Sequence, residues 1–130
     1  MFRNCMTYAL KIEDVDVNPN DLRLWYSSNP EEEIQEKCNL FHRSCRKISS
    51  PKDINSNEWL IAFFGFVPIH YDYEGLADRF DYHFMIWENG HWEHRQGIGK
   101  DISIVSQETI NSFIAEGFPP QYFAIRKTES

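Results

Sequence analysis

The chain has 130 residues, 42% of them hydrophobic and 15% aromatic, which suits one globular domain over residues 1–130 and excludes a disordered chain. Lysine and arginine number 13 against 20 aspartates and glutamates, a net charge of -7, so the basic face of a nucleic-acid binder is not expected. The longest apolar run, Trp59 to Ile69, holds Gly65 and Pro68 and is too short to cross a bilayer. With no signal-peptide pattern at the N-terminus, the expectation is no membrane partner and a cytoplasmic protein, or an effector exported without a classical signal.

Residues 4–12 predict a short helix, because Cys5, Tyr8, Ala9 and Ile12 recur at helical spacing and Asn4 or Arg3 can cap it. Residues 13–20 are acidic and turn-rich, and Leu22 to Tyr26 read as a short extended segment. Asn29, Pro30 and the run Glu31-Glu32-Glu33 mark the next helix start, with a cap, a proline at the first position and carboxylates at the positive end of the macrodipole. Its buried stripe is Ile34, Cys38, Phe41, Cys45 and Ile48, and Ser49-Ser50-Pro51 stops it. On such a helix Cys38 and Cys45 lie about 10 Å apart, too far for a bridge. Three cysteines therefore imply no disulfide framework.

From Glu58 onward the texture turns to strands. Trp59 to Phe64 is apolar on both faces, as a central strand under helices would be. Residues 67–79 read as an acidic loop, and residues 80–88 and 91–96 as a hairpin. Ile102 to Val105 is a short strand. Ser106 then caps a helix reaching Glu116, with Ile110, Phe113 and Ile114 inward and Gly117 at its stop. Tyr122 to Ile125 is the last strand. Helices first and a mostly antiparallel sheet after them give an α+β order.

The hairpin carries the chemistry. Asn89-Gly90 between aromatic strands predicts a two-residue type I′ turn, which pairs Glu88 with His91, Trp87 with Trp92, Met85 with His94 and His83 with Gln96. His83 and His94 then share a face as diagonal neighbours, roughly 5.5–8 Å apart at Cβ, while His91 and Glu93 point the other way. A general base needs a partner that fixes its tautomer, and His94, then Asp81, then Gln96 can serve His83 in that order. His42 and His70 read as structural or exposed. Trp25, Trp59, Trp87 and Trp92 read as core and groove wall.

Asn4-Cys5 with Tyr8-Ala9-Leu10, followed by Asp81-Tyr82-His83-Phe84, Asn89-Gly90, Trp92 and His94-Arg95-Gln96-Gly97, resembles a group of bacterial papain-like proteins. Those proteins carry an NC..YAL start and a DYHFYR…DG.WSHK.G hairpin, and the Cys-His-His order is also similar to the NlpC/P60 peptidases. The resemblance implies a papain-like fold, N-terminal helices on the sheet, with Cys5 as nucleophile, His83 as base and His94 orienting the base. Met85-Ile86-Trp87 and Glu93-His94-Arg95 depart from the group's pattern. Too few residues precede Cys5 for an upstream glutamine, so an oxyanion hole would use the Cys5 backbone N–H, with the Asn4 side chain as a further donor.

The activity so implied is acyl transfer at an amide bond: a protease, an amidase or a glutamine deamidase acting on a peptide or protein, with no cofactor. A second class is a non-catalytic papain-like module whose aromatic groove binds a peptide or protein. A third, zinc held by Cys5, His83 and His94, lacks the local ligand pairs of a strong metal motif, and no metal is expected.

Overall fold

A computed structural model describes residues 5–13, 29–69, 79–95 and 102–128. The elements run α1 (Cys5–Ala9), α2 (Pro30–Leu40), β1 (Arg43–Ile48), a 3₁₀ turn (Pro51–Asp53), β2 (Trp59–Ile69), β3 (Arg79–Glu88), β4 (His91–Arg95), β5 (Ile102–Val105), α3 (Gln107–Ala115) and β6 (Gln121–Lys127). The six strands form one sheet in the order β1-β6-β2-β3-β4-β5, each antiparallel to its neighbours. The α+β class expected from the element order is what the chain forms.

Both helix starts follow their sequence signals. The Asn29 side chain accepts from the Glu32 N–H ahead of Pro30, and the Ser106 hydroxyl accepts from the Thr109 N–H. α3 stops at Gly117 (φ 94°) as read, whereas the stops of α1 and α2 differ from expectation. α1 ends at Ala9, because Lys11 turns left-handed at φ 57° and the Ile12 N–H reaches back to the Thr7 carbonyl. That is a glycine-type helix stop made by a lysine. α2 ends at Leu40, eight residues before the expected stop, through a turn in which His42 takes φ 58°. The segment with Cys45 and Ile48 becomes β1, paired residue by residue with β6 from Arg43↔Lys127 to Ile48↔Tyr122. Strand pairing therefore overrides a helical spacing that ran on unchanged.

β2 is central as predicted, between β6 and β3. It runs through Pro68 to Ile69, where a loop was expected, past a register shift between Phe64 and Val67 that places Pro68 beyond a bulge. The core divides between the two faces of the sheet. Ile61, Phe63, Phe84, Ile86, Phe123 and Ile125 pack with Met6, Ala9 and Leu10 of the α1 segment and with Ile34 and Cys38 of α2. Leu60, Ala62, Phe64, Met85, Trp92 and Val105 pack with Ile110 of α3 on the other face. Phe113 of α3 meets Phe64 with ring centroids 5.1 Å apart, whereas Ile114, expected inward, is exposed.

Candidate active site

The hairpin positions the histidines. Asn89 and Gly90 adopt φ 55° and 83°, the two left-handed residues of a type I′ turn. The resulting pairs are Glu88↔His91, Trp87↔Trp92 and Ile86↔Glu93, in the register read from the sequence. Strand alternation then sends His83 and Met85 of β3, with Trp92 and His94 of β4, to the α3 face.

His83 Nε2 lies 2.6 Å from His94 Nδ1, with the rings edge-on at 85° and their centroids 4.8 Å apart. One of these nitrogens donates and the other accepts, according to tautomer. His83 is only 9% exposed, and burial first, then the neighbouring His94, pushes its pKa down to about 3. Burial also lowers that of the half-buried His94. Both rings are therefore neutral near pH 7. Donation from His83 Nε2–H leaves the His83 Nδ1 lone pair to act as a base.

The opposite face holds the cysteine. Cys5 opens α1 and packs against the cluster of Met6, Phe84 and Ile86. Phe84 and His83 are successive residues of β3, so their side chains leave the sheet on opposite sides. The structure brings His83 and His94 together, as the register predicts, and sets Cys5 across the sheet from both. Asn4 and Gln96 lie outside the described residues, as do His70 and Trp25. Asp81 pairs with Val67 on β3, and its side chain lies outside the described residues too.

On the Cys5 face stands a polar chain that sequence reasoning did not assemble. The Tyr8 hydroxyl donates to Glu93 Oε1, and His91 Nε2 holds Glu93 Oε2. Burial and then Glu93 raise the Tyr8 pKa far above the usual phenol value, while the Tyr8 hydrogen bond leads in holding the Glu93 carboxyl below its usual range. Arg95, almost fully buried, pairs with Glu13 through Nε and Nη2. Lys11 pairs with Glu88 and sits 4.7 Å above the Trp59 ring, whose Nε1–H donates to the Ala9 carbonyl. These contacts seat α1 on β3 and β4. The His91–Glu93 half was legible from their shared strand face; the approach of Tyr8 needed the fold. Tyr8→Phe is expected to lower unfolding free energy by about 1–3 kcal/mol in urea titration, since it strips a charged acceptor of its donor.

The tryptophans do not form one groove wall. Trp59 belongs to the α1 face, while Trp87 and Trp92 meet edge-on at 5.3 Å on the other. Among the described residues no three histidine, cysteine or acidic side chains could hold a metal ion, and the Cys5-His83-His94 set is divided by the sheet. Among the described residues no helix is long and apolar enough to cross a membrane. No protein-family profile matches this chain, and neither does a curated protein or a solved structure.

Proposed function

We propose that this chain is a non-catalytic, papain-like module that binds an extended peptide or protein segment. The observation that carries this reading is the position of Cys5 on the face opposite His83 and His94. A thiol nucleophile needs its base within hydrogen-bond reach, and a base of pKa about 3 is far from the value near working pH that general-base catalysis favours. The five residues of α1 also sum few peptide dipoles, so the helix start does little to stabilise a thiolate.

The binding edge is β5. The two ends of the sheet contrast: β1 carries Arg43, Arg46 and Lys47, the charged guard usual on an edge strand, whereas β5 is Ile-Ser-Ile-Val without a charge. Ile104 is 68% exposed and Ile102 joins it on the same side of the strand. An extended peptide adds there as a further strand, taking its affinity from main-chain hydrogen bonds and its selectivity from alternate side chains. Peptides selected from a random library on the immobilised protein are expected to keep binding to Cys5→Ala and to lose it with Ile104→Lys, at unchanged thermal stability. Selected peptides that are cleaved, or that are held only through Cys5, would defeat this reading.

A second reading, cysteine hydrolase or acyltransferase, has one observation in its favour. His94 engages Nε2 of His83 and leaves Nδ1, as a base steadied by a partner requires. In that reading Cys5 reaches the α3 face, His83 takes its proton, and sulfur attacks an amide carbonyl. The amine leaves with the proton held by His83. Water, giving a proton to His83, then releases the acid while that proton returns to the thiol, with Asn4 and the Cys5 N–H at the oxyanion. Hydrolysis or deamidation of a denatured protein substrate that disappears in Cys5→Ala would establish it, and its absence in the wild type would remove it.

A further inference from the structure

We propose that Cys38 and Cys45 form a redox modification site: a thiol pair that closes to a disulfide and staples α2 to β1. The early end of α2 at Leu40 and the turn through His42 fold β1 back beside the helix, so the two cysteines pack on the same core cluster from adjacent elements instead of lying along one helix. The Gln35 amide, one helical turn before Cys38, donates to the Cys45 carbonyl at 2.8 Å. Both side chains belong to the same core cluster, Cys38 fully buried and Cys45 partly open. Neither is in a disulfide here. The neighbouring Cys38 thiol and then burial raise the Cys45 pKa far above the usual thiol value, which keeps Cys45 protonated and slow to react.

The oxidant is a low-molecular-weight disulfide such as oxidised glutathione. The more accessible Cys45 sulfur, deprotonated, attacks one sulfur of that disulfide, forming a mixed disulfide and expelling one thiolate that takes up the proton. The Cys38 sulfur then loses its proton and attacks Cys45 Sγ, expelling the second glutathione thiolate. Two protein thiols are oxidised and one external disulfide is reduced to two thiols. In a reducing compartment the pair stays open; in an oxidising one it closes and fixes an edge strand to its covering helix.

The test is to incubate the native full-length protein with excess oxidised glutathione and read intact mass and disulfide-mapped peptides. The expected product has lost two hydrogens in a Cys38–Cys45 link, retains no glutathione at either position and melts several degrees higher. In Cys38→Ala, glutathione is expected to stay on Cys45. Glutathione retained on Cys45 of the wild type, or both thiols still unreacted once the protein has come to equilibrium with the excess oxidised glutathione, would overturn the proposal. The wild-type mass decides the matter even if the variant fails to fold.

Discussion

Acidification from pH 7 to pH 4 is expected to cost this fold about 3 kcal/mol through the buried His83 alone. The His83 pKa is about 3 in the fold against an ordinary 6.5. Between those values the unfolded chain binds the proton and the folded chain does not, so stability is fully present above 6.5 and is lost as pH falls toward 3. His94, also lowered by burial, adds in the same direction. Glu58 and Glu93 have lowered values too, and their contribution begins to fade only below the ordinary 4.5. The interval from 6.5 to 4.5 therefore isolates the histidines. Urea titrations across it are expected to show stability falling by about one proton's worth, 1.4 kcal/mol, per pH unit. His83→Gln, which stays neutral and can still meet His94, should flatten that slope. Parallel losses in wild type and variant would show that burial of His83 is not the cause.

Phe84→Ala is expected to remove about 3–5 kcal/mol of unfolding free energy and, with it, the seat of α1. Phe84 is fully buried between Phe63, at 5.0 Å between ring centroids, and Tyr82 at 6.0 Å, and its cluster includes Met6, Ala9 and Leu10. Truncation leaves a cavity under the helix that carries Cys5. Two readouts follow: a lower urea midpoint, and faster alkylation of Cys5 in the native state as α1 loosens. The same truncation at Met85, on the α3 face, should lower the midpoint without speeding Cys5. That contrast follows from the division of the core between the two faces. Equal acceleration in both variants would contradict it.

Much of this fold was legible because its signals are local. The Asn89-Gly90 turn specifies both φ values and hence the register, and that register alone put His83 beside His94. Asn29-Pro30 and Ser106 capped their helices as read. What the sequence concealed was decided at a distance. Cys45 and Ile48 continue the helical spacing of Ile34 and Cys38, and only pairing with β6, the last strand of the chain, draws them into β1. Lys11 and His42 take left-handed conformations that sequence patterns assign to glycine or asparagine, so both helix ends were missed. The face of Cys5 had no local determinant either. A helix start can dock on either side of a sheet, and Tyr8 to Glu93, Trp59 to Ala9 and Lys11 to Glu88 choose the side.

The measurement that tests the central claim most directly is the pH dependence of Cys5 alkylation by iodoacetamide in native wild type and His83→Ala. It should be followed by peptide mapping from about pH 6.5 upward, where the acid loss has not begun. With the sheet between the thiol and the imidazoles, the two proteins are expected to give the same single rise with pH. An added reactive plateau at the acid end of the wild-type profile, lost in His83→Ala, would mean that the thiol and His83 form an ion pair. That would contradict the binding-module account and establish the catalytic one.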